Sequence, residues 1–218
     1  MSIFSYLRHG DMLGAIVLVL SRAFVVFCCL PIHELAHGYV AYKLGDNTAK
    51  NQGRLTFNPV AHLNPLGTIM IFLFGIGYAN PVPVNPRNFK NQKSGMALVA
   101  FAGPLSNFLM ASICGFFYVL TFKLRMPMPI QYFFYFAASV NITLAVFNLI
   151  PVPPLDGSKI IAMFLPDRVY YKYMQYERYV MLAVMLLLFL GVFDRPIAFL
   201  SDVMMKLVLF LPRLIFGV

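Results

Sequence analysis

Residues 11–44 read DMLGAIVLVLSRAFVVFCCLPIHELAHGYVAYKL, and their reading decides the fold. At 1.5 Å per residue, a helix over this stretch is longer than one bilayer is thick. The run is apolar almost throughout and closes at Gly45. Pro31 lies inside it and predicts a kink. Arg22 interrupts the apolar run and no small-residue cleavage site follows, so the segment reads as a retained helix and not as a secretory signal.

Near the end of this helix stands His33-Glu34-Leu35-Ala36-His37, an H-E-x-x-H. Residues four apart share a helix face, about 6 Å from one another. Two imidazoles so placed can close on one zinc ion at about 2.0–2.1 Å each. Glu34 is about a quarter turn round, so it can reach a water on the metal without being a ligand. A helix that merely carries these three groups is the bland alternative. It is a costly one, because ionisable side chains in hydrocarbon are rarely idle.

The rest of the chain agrees with a membrane setting. Of 218 residues, 60% are hydrophobic and 11% are charged, with 22 Phe, 13 Met and no Trp. Mean hydropathy is +0.75. Soluble domains carry about a quarter charged residues. The expectation is an all-α multi-pass membrane protein with five or six membrane segments and no sizeable soluble domain. Residues 1–218 then form one integral membrane domain, with 11–165 as the catalytic core and 179–218 as C-terminal membrane segments. Cys28, Cys29 and Cys114 lie in apolar runs and read as buried hydrophobes, not as a disulfide framework.

Further apolar segments fall at 94–122, interrupted by Gly103-Pro104, at 130–150, and at 179–193 and 196–216. A short helix is expected at 157–166. Residues 66–79 are apolar over only 14 positions, which suits a re-entrant or interfacial piece. GRLTFNP (53–59) alternates as a strand would, so a small β or re-entrant element is expected between the first two core helices. The net charge is +9, but Lys and Arg sit in short links and form no basic stripe with interleaved aromatics, so nucleic acid is not an expected partner. Links 43–54, 87–93 and 159–178 hold ten of them, against Arg8, Lys123 and Arg125 on the other side. The first set should be cytoplasmic in the cell membrane. Residues 46–93 must then leave and return on one face.

A catalytic zinc takes three protein ligands and an open position. Cys29 shares a face with His33 but is two turns, about 12 Å, from His37. His62 is possible. Asp156 fits best, in NLIPVPPLDG, where Pro151, Pro153 and Pro154 stop a helix and Gly157 frees the backbone. Its alternative role is the N-cap of the helix that follows. Zn2+ with Asp156 and Glu34 sums close to neutral, which is far cheaper in low dielectric than isolated charges.

HELAHGYVA, GRLTFNP, HLNPLGT, NPVPVNPRNF, AGPLSN and NLIPVPPLDG follow one another in this order. Over roughly residues 25–165 the chain resembles the site-2 proteases, intramembrane zinc metalloproteases. It is most similar to the compact bacterial type without a PDZ or CBS domain. The resemblance implies that His33, His37 and Asp156 are metal ligands and that Glu34 is the catalytic acid/base. It also implies that Asn107 and Asn148 steady the unwound substrate or the site, with a helix–helix hydrogen bond as the structural alternative. His62 is a further candidate near the site, and Asn64 stands where related sequences carry an acid. The implied partners are a transmembrane protein substrate and the lipid bilayer. A zinc transporter or sensor without proteolysis is the main rival, and a catalytically silent scaffold the other. A transporter should carry paired ionisable residues along its path, and few exist outside the one cluster.

Overall fold

The computed structural model describes residues 3–74, 77–166, 168–169, 179–180, 183–184, 187 and 190–217. Among the described residues every regular element is a helix, and no two segments pair as strands. The stretch expected to be strand-like, 53–59, runs as irregular loop, and so does the extended 81–85. Pro59, Pro81 and Pro83 lack the N–H groups that a ladder needs.

A short helix, α1 (Ile3–Arg8), precedes α2 (Met12–Phe24), whose N-cap Asp11 accepts from the Gly14 N–H at 2.8 Å. A π turn, Val25–Cys29, joins α2 to α3 (Leu30–Lys43), so the chain stays helical from Met12 through Pro31. The reason is visible in what is buried. Gly14, Leu18, Arg22, Val26, Leu30, Glu34 and Gly38 are all buried, at four-residue intervals. On an ideal α-helix such a row drifts by about 40° per step. The extra residue of the π turn corrects part of that drift and keeps one face on the bundle.

After α3 the chain forms α4 (Thr48–Asn51), a loop, and α5 (Pro65–Phe74). Residues 77–78 then come back against the start of α5. A Cβ on Gly67 would lie 1.9 Å from the Tyr78 carbonyl oxygen, and one on Gly77 would lie 2.1 Å from that of Gly67. Only glycine fits at these two positions. Ile71 is buried against Val25, Val26, Cys29 and Leu30 at the π turn. Arg22 donates to the Phe72 carbonyl near the C-terminus of α5, where helix carbonyls lack partners.

The long helix α6 (Gln92–Lys123) runs unbroken through Pro104, and a four-residue link leads to α7 (Met128–Asn148). Beyond a proline-rich loop come α8 (Asp156–Ala162) and α9 (Asp194–Phe216). Of the segment expected at 179–193, residues 181–182, 185–186 and 188–189 lie outside the described residues. Among the described residues three helical stretches are long and apolar enough to cross a membrane: Met12–Lys43, Gln92–Lys123 and Met128–Asn148. Their outward faces are oily. On α6, Leu98, Phe101, Leu105, Leu109, Ile113 and Phe116 are exposed in a continuous stripe. A water-soluble surface rarely shows such a patch, whereas lipid tails solvate it. The core between α6, α7 and α9 is built on Ala111, Val119, Ile142, Val146 and Val208.

Candidate metal centre

His33 and His37 project from one face of α3 toward α6. Their rings are edge to face with centroids 4.6 Å apart, and their Nε2 atoms are 3.0 Å apart. Asp156 Oδ2 lies 3.5 Å from His33 Nε2 and 3.3 Å from His37 Nε2. All three residues are buried. Three donor atoms on a tetrahedral zinc, at 2.0–2.1 Å, stand about 3.3–3.4 Å from one another. The observed triangle therefore matches a zinc-sized gap. His37 Nδ1 is 2.7 Å from the Val99 carbonyl oxygen, which accepts its proton. That contact fixes the tautomer and leaves a lone pair on Nε2, as metal-bound histidines require. Two imidazole lone pairs and a carboxylate oxygen crowded together repel one another, and a cation between them removes the repulsion. Among the described residues this is the one group of three or more His, Cys, Asp or Glu side chains close enough to share an ion.

Asp156 reaches the site because the loop after α7 folds back tightly. A Cβ on Gly157 would lie 2.2 Å from the Leu149 carbonyl oxygen and 2.5 Å from that of Ile150. Gly157 is thus required for space and not, as the sequence suggested, for backbone freedom in a turn. The capping alternative does not hold. Leu155 occupies the N-cap of α8, Asp156 is its first helical residue, and its Oδ2 faces the histidines. The other oxygen, Oδ1, is 3.7 Å from Lys159 Nζ.

Gly103 closes the opposite wall. A Cβ there would stand 2.3 Å from His37 Nε2 and 2.6 Å from His33 Cε1. The helix α6 can pass behind both rings only because residue 103 has no side chain. One turn further on, Asn107 is fully buried, and neither its Nδ2 nor its Oδ1 has a partner among the described residues. Among the described residues the helix–helix hydrogen bond considered for it is absent.

Glu34 is also buried, and its Oε2 accepts from the Val82 backbone N–H at 2.9 Å. Gly38, one turn later, leaves room for Val82: a Cβ there would come within 3.0 Å of Val82 Cγ1. The segment 81–85 therefore lies directly beside the motif. It is fastened further on by Asp46, which no motif in the sequence singles out. Asp46 is fully buried and accepts from the Asn85 N–H at 2.7 Å, Asn88 Nδ2 at 2.7 Å, Thr48 N–H at 3.1 Å and Thr48 Oγ1 at 2.5 Å. Burial pushes its carboxyl up, but the donors from Thr48, Asn85 and Asn88 outweigh this and hold it below the usual carboxylate range.

Three candidates lie off the metal triangle. His62 is fully buried in the loop between α4 and α5, with Nε2 2.9 Å from the Thr56 carbonyl oxygen. Cys29 accepts a hydrogen bond from Asn141 at 3.4 Å. Asn148 Nδ2 donates within its own helix to the Leu144 carbonyl at 3.0 Å.

The chain is similar to known zinc metalloproteases. The model of Peptidase family M50 matches residues 123–191. YwhC of Bacillus subtilis (strain 168), named as a zinc metalloprotease, is 48% identical over 154 residues, covering 68% of this chain and 70% of YwhC. MJ0611 of Methanocaldococcus jannaschii, similarly named, is 29% identical over 161 residues, covering 73% and 75%. Rip2 of Mycolicibacterium smegmatis is 26% identical over 160 residues, covering 69% of this chain and 58% of Rip2. No solved structure matches the chain significantly. The likeness to YwhC, at nearly half identity over more than two thirds of that protein, makes this chain a member of peptidase family M50, the site-2 protease family of zinc metalloproteases.

Proposed function

We propose that His33, His37 and Asp156 hold one Zn2+ and that Glu34 is the general base and acid of an intramembrane endopeptidase. The observation that carries this reading is the donor triangle with edges of 3.0, 3.3 and 3.5 Å. When bound, zinc brings the pKa of a water from 15.7 toward about 7 and polarises the scissile carbonyl. Glu34 takes a proton from the attacking water and returns one to the leaving amine as the peptide C–N bond breaks. Val82 holds one oxygen of Glu34, which leaves the other to carry the proton. Asn107 and Asn148 position the unwound substrate, and the buried amide of Asn107, without a partner among the described residues, supports that role. His62 acts at a distance, by bracing the loop on Thr56.

The substrate is a transmembrane segment of another protein. Its carbonyls are hidden in helical hydrogen bonds, so it unwinds before cleavage and lies extended along 81–85, which runs past Glu34. Residues 66–79 form the re-entrant element, entering and returning on one face. The chain sits in the cell membrane as one domain over 1–218, with catalytic core 11–165. Its five or six segments include those at 179–218, and the basic links are cytoplasmic.

The test compares zinc content and cleavage of single-span substrates by purified wild type, Glu34→Gln, His37→Ala and Asp156→Ala. Glu34→Gln should keep zinc and lose cleavage by about 100-fold or more. The ligand variants should lose both. Full cleavage by Glu34→Gln, or full zinc occupancy in Asp156→Ala, would overturn the assignment. Zinc binding with no peptidase activity in wild type would favour a sensor or transporter.

A further inference from the structure

The helix α9 carries four of its five charges on one stripe. Arg195, Asp202, Lys206 and Arg213 are spaced by seven, four and seven residues, which places them within about 40° of one another round the axis. The face toward the bundle is different in kind, with Ile197, Val208, Leu209 and Pro212 buried. Contact there is close, since a Cβ on Gly115 of α6 would come 2.5 Å from Val208 Cγ1. Met205 packs on Cys114 of α6 and on Ala137 and Ala138 of α7.

That packing fixes a depth. Residues 137–138 are the midpoint of α7, a helix long and apolar enough to cross the membrane. Asp202 and Lys206, within one turn of Met205, therefore lie near the middle of the apolar layer. Both are exposed, and the large side chains beside them, Phe199, Val203, Leu207 and Phe210, are exposed as well. Among the described residues neither charge has an ion-pair partner. Residues 179–193 contain no charged side chain, so that segment cannot supply one. Charges at such a depth are costly unless paired.

An acid and a base one turn apart on one stripe are complementary to their own copy. Under a twofold axis, Asp202 of one chain meets Lys206 of the other, and the reverse pair forms by symmetry. We propose that this stripe of α9 is a homodimer interface inside the bilayer, closed by two reciprocal Asp202–Lys206 pairs. The occupant is a second copy because the stripe carries both signs. A partner helix that needed only one sign would leave the other charge in lipid.

The experiment uses the full-length chain in lipid nanodiscs or liposomes, with subunits counted by single-molecule photobleaching. Wild type should be dimeric. Asp202→Lys and Lys206→Asp should each lower the dimer fraction at least tenfold, because each places like charges opposite one another. Mixed together, the two single variants should form heterodimers. The introduced lysine of one chain then faces the introduced aspartate of the other, and the unchanged Lys206 of the first faces the unchanged Asp202 of the second. Zinc content checks the fold of each variant, and Asp202→Asn with Lys206→Met is the milder pair for any variant that fails to incorporate zinc. Monomeric wild type, as expected if α9 meets another protein's helix or floats with its stripe in water, would overturn the proposal. Dimers indifferent to the swaps, or no rescue on mixing, would do the same.

Discussion

Val82 donates its backbone N–H to Oε2 of Glu34 over 2.9 Å, across 48 positions of sequence. The contact ties an extended, proline-flanked loop to the one acid within the metal motif. It also orients that acid, since a carboxylate with one oxygen held can turn the other to a fixed point. Val82→Pro deletes the donor and leaves the side-chain volume similar. A hydrogen bond to a charged group is worth about 1.5–3 kcal/mol. Cleavage by Val82→Pro should fall by about 10–100-fold with zinc content unchanged. Val82→Ala keeps the N–H and should stay within a few fold of wild type. Equal losses in both variants would show that the side chain matters and the N–H does not.

Gly103 gives a sharper test of the metal site. A methyl group at 103 would stand 2.3 Å from His37 Nε2 and 2.4 Å from its Cε1, closer than real Cβ contacts allow. The ring has to turn away, which also breaks the Nδ1 contact to Val99. Gly103→Ala should weaken zinc binding by about 100-fold, the upper end for loss of a supporting contact. The helix itself gains propensity from the change. Competition with a chelator reads the affinity, and circular dichroism checks that helicity is kept. Wild-type affinity would show that the two helices stand further apart than described.

These two sites differ in how legible they were. The pair His33/His37 was readable because four residues make one helical turn. Asp156 was readable because three prolines and a glycine mark broken backbone in an oily chain. Gly103 was visible only as an interruption, because nothing local says which side chains lie across from it. The Glu34–Val82 contact and the Asp46 cluster join residues about 40 or more positions apart, and no periodicity encodes such a meeting. The π turn was hidden for a related reason, as Pro31 signals a disturbed helix without saying how the helix absorbs it. The alternation in GRLTFNP resembled a strand, but a strand needs a partner ladder, and the prolines deny it one. The apolar segment at 196–216 was legible by its length, but not that its helix, α9, packs against α6 and α7.

Asp46 carries a prediction about pH. Its folded carboxyl titrates below the ordinary carboxylate value, so its contribution to stability is present above the unfolded pKa of about 3.9. The contribution is lost as pH falls through the folded value. Wild type should therefore lose the 81–88 segment on acidification below about pH 4, followed by proteolysis within that loop. Asp46→Asn should be less stable at neutral pH, by about 2–3 kcal/mol for weakened charge-assisted bonds, and should show little further loss down to pH 3. If both proteins lose the loop over the same acid range, the dependence belongs to another group.

Asn107 separates stability from function. Its amide is fully buried on α6, one turn beyond the glycine that backs both histidines, and neither polar atom has a partner among the described residues. An unsatisfied amide in such a place costs about 1–3 kcal/mol. A residue kept only for packing would do better as an apolar isostere. Asn107→Leu should therefore leave the melting temperature unchanged or raise it. If the amide awaits the peptide groups of an unwound substrate, the same variant should lower cleavage by about 10–100-fold, with zinc content intact. Asn107→Gln, which keeps the amide but moves it by one methylene, should fall between the two. A destabilised Asn107→Leu with normal specific activity would mean that the amide serves the fold through a bound water and takes no part in holding substrate.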